Sequence, residues 1–271
     1  MHADSLGGRD VANIPEGCIY EDPGCRGRVD NQFWSFVPTL RAASPSIDVG
    51  AWNAAPVERY QQALLVRLLG VDDFTNDDSV TALLYRAYPT FTTGCEDGPL
   101  PIDLEFAIAR SSLVAGATSI DQARVVIPAS IVDRRIRVHG RPEDAVDFSI
   151  GDALGIRFTA PLYAITMRWN FAALPDYSTG SDGQFGGWMT GEDLVNGVSA
   201  WFPAERSAIE NAIAGLADIR LDGVCDDTTG GVRRIGGVSM GGSIRMARAR
   251  VRAVDPIVDS HPPDACGYTG R

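Results

Sequence analysis

Hydrophobic residues along the first half of the chain fall at helical spacing. In P-V-E-R-Y-Q-Q-A-L-L-V-R-L-L-G, residues 56–70, Tyr60, Leu64, Leu65 and Leu68 share one face. Pro56 suits a first turn there and Gly70 a stop. N-D-D-S-V-T-A-L-L-Y-R-A-Y opens with capping residues and predicts a second helix ending at Tyr88, before Pro89. A third is predicted from Pro101, so residues 55–125 read as a helical region of three or four short pieces. The pattern then changes. Residues 125–139 and 153–171 are rich in β-branched and aromatic residues, and Ile156, Phe158 and Ala160 alternate with Arg157 and Thr159 as in a half-buried strand. Residues 174–191 read as a glycine-rich loop carrying Tyr177, Phe185 and Trp188. Helices are predicted around 191–201 and 203–217, and strands at 218–224 and 231–239. The fold class expected is α+β, a helical N-terminal part packed on a mostly antiparallel, β-rich C-terminal part spanning 126–271. Residues 1–54 read as an irregular arm, with Phe33, Trp34, Phe36 and Trp52 covering something apolar.

Composition narrows the function. All 24 basic residues are arginine, against 35 acidic ones, for a net charge of −11. Nucleic acid is an unfavourable partner for such a surface. Without lysine the chain has no Walker A loop, no pyridoxal Schiff base and no kinase strand lysine. The cysteines Cys18, Cys25, Cys95, Cys225 and Cys266 are widely spaced with no C-x-x-C, so free thiols are favoured over a metal site or a Cys18–Cys25 bridge. No apolar stretch approaches a membrane span, and M-H-A-D-S-L-G-G-R-D does not read as a signal peptide, so the expected location is cytoplasmic or within a virion. The acidic run from Asp73 fails as a calcium loop, because Asp78 and Leu84 stand where glycine and glutamate are needed. Asp77 and Asp78 are instead expected to cap the helix that follows.

Gly237 to Gly242 reads G-V-S-M-G-G. In these six residues the chain resembles the nucleophile elbow of α/β-hydrolase lipases and esterases. The resemblance implies Ser239 as nucleophile in the Gly237-Val238-Ser239-Met240-Gly241 turn. Outside it the chain departs from that family. G-V-R-R-I-G-G precedes the serine in place of a buried apolar strand. Afterwards comes one histidine, His261, with Asp255 and Asp259 before it and too little chain for the remaining strands; His2 and His139 precede the serine. A plain glycine-rich turn is the favoured reading.

Between Thr228 and Val254 there are no acids but six arginines: Arg233, Arg234, Arg245, Arg248, Arg250 and Arg252. S-I-R-M-A-R-A-R-V-R-A-V reads as a helix capped by Ser243 or as a strand; the alternation over 247–253 favours the strand. The row is a solvated face balanced by the chain's own carboxylates or an interface, with phosphate binding a third option. No catalytic, metal or cofactor signature stands out. The expected function is a structural or assembly protein that binds itself or other subunits of a larger particle, such as the head, neck, tail or baseplate of a phage or virus. Arg245, Arg248, Arg250, Arg252, Phe185 and Trp188 are its candidate interface residues. A serine hydrolase is the alternative, with the 174–191 loop as a lid, and a ligand-binding module using the loop aromatics is a third reading.

Overall fold

The computed structural model describes residues 63–90, 104–141, 143–151, 157–171, 179–217 and 236–259. Among these, eleven strands form one mixed sheet and two helices pack on it. The strands are β1 (Ala63–Leu69), β2 (Asp77–Pro89), β3 (Leu104–Ala109), β4 (Val125–Val132), β5 (Arg135–His139), β6 (Ala145–Gly151), β7 (Arg157–Phe171), β8 (Thr179–Thr190), β9 (Gly237–Ala247), β10 (Ala249–Val251) and β11 (Ile257–Val258). The helices are α1 (Gly191–Ser199) and α2 (Arg206–Ala214).

The expected helical N-terminal part is overturned, because the described residues of 55–125 form β1, β2, β3 and the start of β4. The reason lies in β2. Its even positions Val80, Ala82 and Leu84 enter one core, while Leu83, Tyr85 and Ala87 enter a second. A strand buried on both faces loses its two-residue alternation, and its continuous apolar run is indistinguishable from a helix by periodicity. β1 repeats the pattern: Leu64, Val66 and Leu68 pack on the first core, Leu65 and Leu69 on the second. Asp77 caps no helix. Its carboxylate accepts N–H groups from Asp72 at 2.8 Å and Ser79 at 3.0 Å, closing the turn that leads into β2. The described part of the expected 174–191 loop is β8 and Gly191, which opens α1, and G-V-S-M-G-G is no turn but the opening of β9. Residues 1–54 and 218–224 lie outside the described residues.

Long strands are shared by shorter ones set in line. Leu84 pairs with both Val66 of β1 and Val125 of β4, and Ala87 with both Ala63 of β1 and Ile108 of β3. So β3 and β4 follow each other along one edge of β2, with β1 on the other. Likewise Tyr163 and Thr166 show β5 and β6 sharing one edge of β7 opposite β8. At that change-over a bulge places Ala164 at φ 54°, and Gly140 donates to the Ile165 carbonyl at 2.9 Å. The β4–β5 hairpin has positive φ at both central residues, Asp133 and Arg134, as its two-residue loop demands. The Asn76 side chain and the Thr75 carbonyl accept their N–H groups.

β9 pairs with β8 and β10 pairs with β3, yet only Arg248 separates β9 from β10. The path from β3 through β2, β4, β5, β7 and β8 to β9 therefore returns to its start. The first core fills the interior, closed by Leu194, Val195 and Val198 of α1 and Ile209, Ala212 and Ile213 of α2. The second lies under the excursion 110–124, with Leu113, Ala117 and Ala123. The helices fall where the sequence predicts them. Thr190 caps α1 by accepting the Asp193 N–H at 3.0 Å, and Pro203 opens the 3-10 turn before α2.

Candidate functional site

The most distinctive surface is the edge formed by β1. Ala63 to Leu69 pairs antiparallel with Ala87 to Thr81 of β2, and among the described residues β2 is its one strand partner. The strand reads A-L-L-V-R-L-L, with a single charge. Leu64 to Leu69 are all half-exposed, on both faces. Natural edges are usually blunted by charges, proline, bulges or shortness, and a long apolar edge is a template for another strand.

Its one charge is held close to its own chain. The Arg67 guanidinium pairs with Asp121, and Ser119 donates to the other Asp121 oxygen at 3.0 Å. Those hydrogen bonds, Ser119 first and then Arg67, hold the Asp121 carboxyl below its ordinary range. Beside them the Tyr85 hydroxyl donates to the Ile120 carbonyl at 2.7 Å, and burial raises its pKa. The 110–124 excursion thus grips the β1–β2 ribbon from one face. The sequence concealed this edge because residues 56–70 carry helical spacing. The legible clue is its length, a seven-residue apolar run ending at Gly70, which suits a strand.

The arginine row is divided by the fold. Arg245 lies on β9 and Arg248 in the junction, exposed. Arg250 is exposed on β10 and sits beside Glu105 of β3 in the parallel register. Arg252 follows the strand, its Nε donating to the Asp255 carbonyl. Ala249 and Val251 pack on the second core, which is the alternation the sequence shows. Elsewhere arginines meet the chain's own carboxylates: Arg110 with Asp259, Arg124 with Asp147 at 3.1 Å, and Arg206 with Glu210 at 2.9 Å. Each such surface pair is worth about 0–1 kcal/mol.

The loop aromatics point inward. Phe185 is 2% exposed within the first core, and Trp188, 4% exposed, stacks on Tyr163 at 4.6 Å between ring centroids. Ser239 is fully buried near the start of β9, opposite Trp188. An elbow serine stands on a strained strand-to-helix turn, whereas β9 runs on through Ser239 to Ala247. His139 reaches β9 only across β7 and β8, through Thr166 and Gly186. Three strand spacings of about 4.8 Å put it about 14 Å from β9. His2 and His261 lie outside the described residues, as do all five cysteines. Among the described residues no three acidic, histidine or cysteine side chains group to hold a metal, and no helix is long and apolar enough to cross a membrane.

Comparison with protein-family models, with curated proteins and with solved structures gives no match.

Proposed function

We propose that this chain is a structural subunit that holds neighbouring copies or other subunits of a larger assembly, a virion component of a phage or virus being one concrete form. The observation that carries the reading is the β1 edge: seven residues with one charge, of which Leu64 to Leu69 are half-exposed on both faces, paired on one side among the described residues. An exposed edge of this kind is an aggregation hazard unless another strand covers it. Its cover adds main-chain hydrogen bonds and extends two apolar layers at once, which is how β-strand addition gains both affinity and register.

Light scattering on the full chain over a concentration series tests the reading. The expected result is a mass that rises from 29.0 kDa toward a multiple of it. A 29.0 kDa particle at every concentration overturns self-association. Salt separates the two candidate surfaces. Arginine–carboxylate contacts loosen as ionic strength rises. An apolar edge on a protein of net charge −11 holds or tightens, because salt screens the mutual repulsion.

A further inference from the structure

We infer that the chain carries a self-cleaving peptide bond, Asp255–Pro256, cut by the Asp255 carboxyl group with Arg252 stabilising the oxyanion. The inference stands apart from the assembly reading above.

The bond lies in a pinned loop between β10 and β11. Both strands pair in parallel with β3, one after the other. The Arg252 N–H donates to the Phe106 carbonyl at 3.0 Å, and the Pro256 carbonyl accepts the Ile108 N–H at 2.7 Å. Residues 252 and 256 are thus fixed to β3 at points two residues apart. Ala253, Val254 and Asp255 bulge outward between them, all exposed, Val254 at 75%. Asp255 holds φ 47°. That is the left-handed region, which costs any residue but glycine, and the proline after it favours extended backbone instead. A cut after Asp255 releases that strain.

The reacting groups are already in place. An aspartyl carboxyl that attacks its own backbone carbonyl carbon closes a five-membered ring, so the nucleophile comes attached to its target. Among the described residues no hydrogen bond or ion pair holds the Asp255 carboxyl group elsewhere. The Arg252 Nε–H donates to the Asp255 carbonyl oxygen, the atom on which negative charge develops during the attack. A C–O bond forms between the carboxyl oxygen and the carbonyl carbon. The C–N bond to Pro256 breaks, and the carboxyl proton passes to the Pro256 nitrogen, which leaves as a secondary amine. Solvent water then opens the cyclic anhydride left on Asp255. One water is added, nothing is oxidised or reduced, and the products are residues 1–255 and 256–271.

The sequence supplies its own control, a second Asp–Pro bond at Asp22–Pro23. The full chain is held in mildly acidic buffer in which its circular dichroism is native, and fragment masses are read after denaturation. The folded chain is expected to be cut at Asp255–Pro256 about ten-fold faster, or more, than at Asp22–Pro23, and denaturant to remove that preference. Arg252→Gln is expected to slow the folded chain's cut about ten-fold or more and to leave the denatured chain's rate unchanged. Asp255→Glu, which would need a six-membered ring, is expected to abolish the preference. An uncut folded chain overturns the inference, as does equal cutting at the two bonds. A cut that survives Asp255→Glu overturns it too, since a contaminating protease would give that result. Arg252→Gln cut as fast as the wild-type chain overturns the arginine's part. The comparison of folded with denatured wild-type chain needs no variant, so it decides even where a substitution misfolds.

Discussion

At the residue scale, the Asp77 carboxylate captures the backbone N–H groups of Asp72 and Ser79, as a helix-capping side chain would, yet the segment it introduces is a strand. Short polar side chains serve turns and helix ends by the same hydrogen bonds, so the residue alone does not choose. Those bonds, from Asp72 first and then Ser79, hold the Asp77 carboxyl below its ordinary value of 3.8. Its unfolded value is the higher one. The stability it contributes is therefore present above about pH 3.8 and is lost as pH falls through the lower, folded value. Thermal melts from about pH 6 to about pH 2 should show Asp77→Asn losing less stability than the wild-type chain over the acid limb. Parallel curves would mean the turn bonds add nothing. Ser239 is the opposite case. Its six-residue setting suggests a site, yet the structure buries it within β9 opposite Trp188. On the paired strand β8 the close approach is real: a Cβ on Gly187 would meet Leu162 at 2.6 Å.

At the scale of elements, legibility followed how far each element depends on distant contacts. α1 and α2 are specified locally, by Thr190 and the acidic first turn of Glu192 and Asp193, and by Pro203. β4 and β5 were visible because they keep one buried and one outward face. β1 and β2 were not, since two cores erase the alternation and leucine and alanine lean toward helix by propensity; tertiary burial prevails over that weak preference. Junctions depend on close backbone approach. A Cβ on Gly140 would lie 2.7 Å from the Ile165 carbonyl oxygen and 3.1 Å from its nitrogen, at the place where β5 gives way to β6 along β7. Backbone cannot swing aside as a side chain can. Gly140→Ala is expected to cost about 1–3 kcal/mol, as overpacking does, read from denaturant midpoints at unchanged slope. A variant as stable as wild type would show that the junction has room.

At the scale of the molecule, only Arg248 separates β9, at one end of the strand order, from β10 at the other. β1 stands off that order, attached to β2 alone among the described residues, as β6 is to β7 and β11 to β3. Among these single-partner strands β1 is set apart by composition: it is apolar at six of its seven positions, whereas β6 carries Asp147 and Ser149 and β11 has two residues. Composition could exclude lysine-dependent chemistry, but it could not locate this edge, because exposure belongs to the assembled sheet and not to any segment of it. The arginine row drew attention in the sequence through charge contrast, and the fold distributes it between β9, a junction and a strand beside Glu105.

Sedimentation velocity of the full chain beside Val66→Lys tests the central claim most directly. Val66 is half-exposed, so a lysine there can reach solvent along its stem, yet a strand laid along the β1 edge would have to cover its charge. The account predicts that the wild-type chain sediments above 29.0 kDa at concentrations where the variant, with unchanged circular dichroism, remains a 29.0 kDa monomer. Identical sedimentation of the two folded proteins would contradict it.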